Sequence, residues 1–183
     1  LDATGNWLLV TNYGTGNAAM YPLQANGSIG EMADFIKHEG KGSHPVRQEA
    51  AHAHSSIFTP DNRFAIVADL GIDQLVIYQL DPSTGKLLFW SAVNTRPGAG
   101  PRHLAFHPNG KWLYVANELD STVTQYDYDQ AIGALNEKQS LSTLPPNSPE
   151  NLVADIHLSA SGQRVYVSNR GHNSIAVYDV NED

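Results

Sequence analysis

Residues Gly100–Glu118, GPRHLAFHPNGKWLYVANE, hold the pattern that the rest of the chain repeats. A short apolar run from Leu104 to Phe106 leads into His107-Pro108-Asn109-Gly110, and a second run follows from Trp112 to Ala116. Asn-Gly between two β-prone runs signals a hairpin, because Gly accepts a positive φ without steric cost. Arg102 and His103 stand before the first strand, and Asn117 and Glu118 behind the second. Paired strands of a hairpin run antiparallel, so both ends fall at the same rim and Arg102 and Glu118 become neighbours.

Three other segments superpose on this one: LDATGNWLLVTNY from Leu1, HSSIFTPDNRFAIVADL from His54, and ADIHLSASGQRVYVSNR from Ala154. Their turn residues Gly5, Asn62, Gly110 and Gly162 recur at roughly 50-residue intervals. Behind each lies a third alternating run (Ala18–Leu23, Gln74–Leu80, Thr122–Tyr128, Ser174–Val180). In three repeats a Gly-containing turn then precedes a fourth run. Four strands at this period spell an all-β fold, a β-propeller of four-stranded antiparallel blades. Helical periodicity is missing, which disfavours a solenoid and a parallel βαβ sheet. The chain is expected to form one propeller domain over residues 1–183, with blades near 1–50, 51–99, 100–150 and 151–183. It starts without the first strand of its first blade and stops after the third of its last. About four blades of a larger ring are therefore expected, with the missing blades of the same chain as partners and self-association of the arc alone. Trp7, Trp90 and Trp112 read as core, and the long connections Lys37–Ala51 and Ser142–Leu152 as spare loop length.

Composition narrows the partners. A net charge of −8 disfavours nucleic acid and anionic membrane, which need a basic face. There is no apolar run of about 18 residues to span a bilayer. Zero cysteines remove disulfides and thiolate metal sites and fit a reducing compartment, so a cytoplasmic location is expected.

Equivalent positions of the repeats separate scaffold from chemistry. The residue closing each second strand is Asn12, Asp69, Asn117 or Asn169, a polar column that suits loop amides. The next column, Tyr13, Leu70, Glu118 and Arg170, changes type at every blade. So does the column before the first strand, His54, Arg102 and Ala154. The first strand of a propeller blade lines the axis, so His54, Arg102, Glu118 and Arg170 converge on one channel mouth. His52 and His54 share a face at i, i+2, and His103 or Asp155 would have to complete a metal set; no further spacing supports one, and neither metal nor cofactor is expected. His107 and His157 read as structural. The Gly14-Thr15-Gly16 and Gly98-Ala99-Gly100 stretches are turns, and no Gly-x-Ser-x-Gly elbow is present.

The ordered set Gln48-Glu49, His52-Ala53-His54-Ser55, Gly100-Pro101-Arg102-His103, Ala116-Asn117-Glu118 and Ala154-Asp155-Ile156-His157 resembles the lactonase family of seven-bladed propellers, over essentially the whole chain. Its branches include propeller-type 6-phosphogluconolactonases and fungal carboxymuconate cycloisomerases. The resemblance implies a ring of seven blades and a catalytic set of His54, Arg102, Glu118 and Arg170. With Arg102 and Arg170 it suits a small anionic lactone such as a phosphosugar lactone, and His103 and Asp155 are assigned to substrate binding beside them. Glu118 or His54 would serve as general base, with the arginines on the anion or the oxyanion. A cycloisomerase using the same groups, and a propeller that binds without catalysis, are the alternative expectations.

Overall fold

The computed structural model describes residues 1–181. Fourteen strands form four antiparallel sheets. The first contains β1 (Trp7–Asn12), β2 (Asn17–Pro22) and β3 (Asp34–Lys37). The second contains β4 (Ala53–Phe58), β5 (Phe64–Asp69), β6 (Gln74–Asp81) and β7 (Lys86–Asn94). The third contains β8 (Pro101–Phe106), β9 (Trp112–Asn117), β10 (Thr122–Asp129) and β11 (Ala134–Ser142). The fourth contains β12 (Leu152–Leu158), β13 (Arg164–Arg170) and β14 (Ser174–Asp179). Each sheet is a meander in chain order, and β4, β8 and β12, the first strands of successive sheets, pack side by side. This is the blade arrangement of a propeller. Among the described residues no helix is long and apolar enough to cross a membrane.

The core lies between the sheets, which explains why the middle strands lack polar alternation. Phe64, Ile66 and Ala68 of β5 pack with Leu113 and Val115 of β9, while Ala65 and Val67 turn to Leu9, Ala18 and Met20 of the first sheet. Tyr114 and Ala116 of β9 face the other way, onto Val153, Ile156, Val165 and Val167. A strand buried on both faces needs apolar side chains at every position, and each large one, such as Phe64, Ile66 or Leu113, contributes about 1.5–3 kcal/mol. β14 alternates instead: Ala176 and Tyr178 join the last cluster, while Ile175 and Val177 are exposed. Trp7 and Trp112 pack against the clusters as expected, but Trp90 does not belong to the core. It sits on β7, the edge strand of its sheet, 46% exposed, with its ring against Phe64 and its indole Nε1 donating to the Ile132 carbonyl at 2.9 Å.

The turn column adopts the backbone its composition demands. Gly5, Asn62, Gly110 and Gly162 all have positive φ, between 58° and 76°. Asn62 takes the place of glycine because its amide bridges to the previous blade: Oδ1 accepts from the Ala3 N–H at 2.8 Å and Nδ2 donates to Asp2 at 3.0 Å. Gly162 faces the His107 imidazole, whose Nε2 bonds to its carbonyl at 3.0 Å, and a Cβ there would collide with the ring. His107 is buried and structural. Gly110→Ala is expected to lower the stability of the intact protein by about 1 kcal/mol through φ alone, since a Cβ there meets only ordinary contacts with Pro60. Gly162→Ala must cost more, and Gly14→Ala, with open space and no positive φ, close to nothing. Denaturant melts that fail to rank the three in this order would reject the turn argument.

Candidate active site

The strands begin to deviate from regular pairing at the rim where the site forms. β8 starts at Pro101, not at Leu104, so Arg102 and His103 lie inside the strand, at a bulge: Pro101 pairs with Asn117 and His103 with Ala116, leaving Arg102 extra. His54 is the extra residue of β4, between Ala53 and Ser55, and Ala154 and Asp155 are skipped in β12. A bulge re-aims side chains that would otherwise alternate. Arg102 and His103 are consecutive, yet both reach β12: Nη1 of Arg102 donates to the Ala154 carbonyl at 2.6 Å, and Nδ1 of His103 meets Oδ1 of Asp155 at 2.7 Å. The carbonyls freed at the bulges are satisfied from the preceding blade in the same way each time. Thr11 donates to the His54 carbonyl at 3.1 Å, Ser55 to that of Arg102, and Arg102 to that of Ala154.

Glu118 is the centre of the cluster. It stands directly behind β9, is 2% exposed, and binds three guanidinium groups. Nε of Arg102 donates to its Oε2 at 2.8 Å, Nη2 of Arg170 to the same oxygen at 2.7 Å, and Nη2 of Arg47 to Oε1. Burial alone would raise the carboxyl's pKa, but the hydrogen bond from Arg47 and the charges of Arg47, Arg170 and Arg102 outweigh it and hold Glu118 below the usual carboxylate range. Nε2 of His54 lies 4.0 Å from Oε2. Burial, then the nearby Arg102 and His103, push His54 down to about 4, so its ring is neutral near neutral pH. Its Nδ1 is buried and has no hydrogen-bond partner among the described residues, and its ring meets those of Tyr13 and His103 edge-on at 5.5 and 5.3 Å.

The structure thus brings His54, Arg102, Glu118 and Arg170 into one cluster, with His103 and Asp155 beside it. Glu118, however, is covered and committed to three cations, and His54 is a weak base. Arg47 is the member that sequence reasoning missed. It lies in the long connection between β3 and β4. In an antiparallel four-stranded blade the chain must cross from the outer strand to the next inner strand over one rim, and that rim is the one carrying Tyr13, Glu118 and Arg170. This topological signal was present in the repeat pattern. Gln48, 1% exposed, fixes the loop: Nε2 donates to the Leu70 carbonyl at 2.8 Å and to Asp73 at 2.7 Å, and Oε1 accepts from the His44 N–H at 2.9 Å. Arg47 also donates to the Tyr13 hydroxyl at 3.3 Å, and the Tyr13 ring stacks on His52 at 4.5 Å. Gly16 permits the close approach of this loop, since a Cβ there would strike the Ala51 backbone.

His52 bonds through Nδ1 to the Tyr13 carbonyl at 2.9 Å and approaches Glu49 at 3.3 Å. Among the described residues no group of three or more His, Cys, Asp or Glu side chains is arranged to hold a metal. The polar column is structural: Asp69 accepts from the His52 and Gly71 amides and pairs with His38, while Asn117 and Asn169 tie down Thr122, Thr124, Thr143 and Asn151. His157, read from the sequence as structural, is instead largely exposed, with Nε2 2.8 Å from Oδ2 of Asp155.

Fold and rim together define a β-propeller arc with an arginine-rich polar site at the ends of its inner strands. The chain belongs to the family described as Lactonase, 7-bladed beta-propeller, which it matches over residues 1–183. It is 39% identical to the 6-phosphogluconolactonase of Bacillus subtilis over 183 residues, all of this chain and 52% of that protein. The crystal structure of a protein from Lactobacillus plantarum superposes with a TM-score of 0.94 at 35% identity, covering 100% of this chain and 53% of the other. That of the periplasmic gluconolactonase PpgL from Pseudomonas aeruginosa gives 0.92 at 31%, covering 99% and 52%. The chain spans about half the length of these relatives.

Proposed function

We propose that the protein hydrolyses an anionic sugar lactone, 6-phosphogluconolactone before others, at the channel mouth of the propeller. The observation that carries this reading is the sharing of one buried carboxylate by three guanidiniums. Three positive charges face one negative, so on a chain of net charge −8 this cluster keeps a local excess of positive charge. Planar N–H forks beside a partly dry site suit a phosphate or carboxylate and can stabilise the oxyanion of an opening lactone. Membership of the lactonase family and the names of two relatives, a 6-phosphogluconolactonase and a periplasmic gluconolactonase, support a sugar lactone, and the first of them a phosphorylated one.

In this reading Arg170 and Arg47, the more exposed of the three, hold the anionic group. Arg102, braced by Glu118 and the Ala154 carbonyl, faces the carbonyl oxygen as charge develops on it. Glu118 orients the arginines and keeps its charge throughout. The test follows lactone opening by NMR, with the intact protein, at a pH where spontaneous hydrolysis is slow. Acceleration with 6-phosphogluconolactone is expected. Activity confined to carboxymuconate-type lactones would replace hydrolysis with cycloisomerisation, and no activity on either would leave a binding propeller.

A further inference from the structure

We propose that His103, oriented by Asp155, is the general base that activates water in this site. The inference rests on the lactone-hydrolysis reading above and assigns it a step that the arginine cluster leaves unfilled. The partner chemistry fixes the tautomer of His103. Asp155 is ionised, held down to about 2: burial opposes this, but hydrogen bonds from His103 and His157 outweigh it. A carboxylate only accepts, so Nδ1 of His103, at 2.7 Å from Oδ1, carries the proton. In the neutral ring the lone pair is then on Nε2, which makes no hydrogen bond among the described residues. His103 and Asp155 line an open groove of about 510 Å³ along the inner strands, together with Ser55, Ile57 and His157; Glu118 and the three arginines lie beyond its end, reached through Arg102, the residue before His103. The groove side of His103 is a place where a water or a lactone carbonyl can sit. The buried face of Glu118 is not.

Other titratable groups near His103 do not compete for the role. Asp155 and His157 face it from β12, His54 from β4, and Arg102 and Glu118 lie on its own sheet. His157 bonds the other oxygen of Asp155 through its Nε2, but its side chain is 75% exposed against 33% for that of His103, so it is the more hydrated ring of the two. His54 holds a place between the dyad and the cluster, its ring 5.3 Å from His103 and its Nε2 4.0 Å from Glu118, so the base adjoins the arginines that hold the anion.

The step balances without any further reactant. Nε2 of neutral His103 takes one proton from water as the water oxygen bonds to the lactone carbonyl carbon. The resulting oxyanion collapses, the ring C–O bond breaks, and the imidazolium returns the proton to the departing ring oxygen, which becomes a hydroxyl. The new carboxylic acid gives its own proton to solvent. Asp155 is a positioning residue here: it keeps Nε2 bare and stabilises the transient imidazolium.

The test measures kcat, KM and the pH profile of lactone opening for the intact protein and for His103→Gln, Asp155→Asn and Asp155→Glu. His103→Gln should lose about 10²–10⁴-fold in kcat with little change in KM, the span expected of a general base. Asp155→Asn should lose at least about 10-fold and move the acid limb of kcat/KM to lower pH, because an amide cannot stabilise the cationic ring; Asp155→Glu should restore the limb. An active wild type with an equally active His103→Gln overturns the dyad alone. An Asp155→Asn protein that is slower with an unmoved limb overturns the positioning role. A wild type that opens no lactone overturns the dyad and the hydrolytic reading together.

Discussion

Glu118→Gln in the intact protein is expected to cost about 3 kcal/mol of stability near neutral pH and about 100-fold in turnover of an anionic lactone, with the acid limb of the rate profile left in place. The carboxylate is 2% exposed and every strong partner it has is a guanidinium. A neutral amide keeps one acceptor but turns an N–H₂ group toward at least one arginine, so two or three like charges lose the anion that held them together. Removing one member of a buried ion pair costs about 3–5 kcal/mol; the half-exposed Arg170 can recover hydration, which places the loss at the lower end. The turnover loss comes from arginines displaced from the substrate, since a shift of about 1 Å is enough for 100-fold. The sign of the pH dependence follows from the depressed carboxyl. Its stabilising contribution is fully present above the unfolded carboxylate value of about 4.3 and is lost as pH falls through the lower folded-state value. The stability gap between wild type and variant is therefore constant through neutral pH and narrows on acidification. Denaturant melts in which the gap persists unchanged in acid would show that the charge of Glu118 is not its source. Disappearance of the acid limb would instead make Glu118 the base.

How much of this was legible in the sequence depends on which force placed each residue. The hairpin at His107–Gly110 and its three copies follow from turn chemistry and short β-prone apolar runs, which are local, and strands form on either side of each turn. The juxtaposition of Arg102 and Glu118 needed only antiparallel pairing. Arg170 needed the further step of comparing blades. Bulges are invisible at this level because one extra residue leaves no compositional mark, and they are why Arg102 and His103 both turn toward β12. Arg47 was overlooked for a different reason. Its loop carries no periodicity, and its position is set by Gln48, whose side chain makes two buried long-range hydrogen bonds, to the Leu70 carbonyl and to Asp73, beside a local one from the His44 N–H. Trp90 shows the limit from the other side. Apolar character at alternating positions fixes a strand, but only the stacking of sheets decides that β7 lies outermost and leaves the indole half exposed.

Arg170→Ala is expected to lower kcat/KM for 6-phosphogluconolactone by about 100-fold and for an uncharged gluconolactone by less than about 10-fold, the difference being one or two charge-assisted hydrogen bonds at about 1.5–3 kcal/mol each. The sequence assigns the anion to Arg102 and Arg170 together, and the exposures separate the two: the side chains of Arg102, Arg47 and Arg170 are 16%, 31% and 49% exposed. Arg102 spends Nε on Glu118 and Nη1 on the Ala154 carbonyl, so most of its donors are consumed inside the protein. Arg170 engages Glu118 and the Val153 carbonyl through Nη2 alone, so that Nε and Nη1 make no hydrogen bond among the described residues. A solvent-facing charge is also screened by salt, so KM for the phosphorylated lactone should rise with ionic strength in the wild type and much less in the variant. Lysine at this position restores charge but not the planar fork, and Arg170→Lys should recover part of the loss. Steady-state kinetics on the charged and uncharged lactones decide the matter. Equal losses on both would mean that Arg170 only braces Glu118, and the anion would then have to be held by Arg47, whose remaining donors face the same rim.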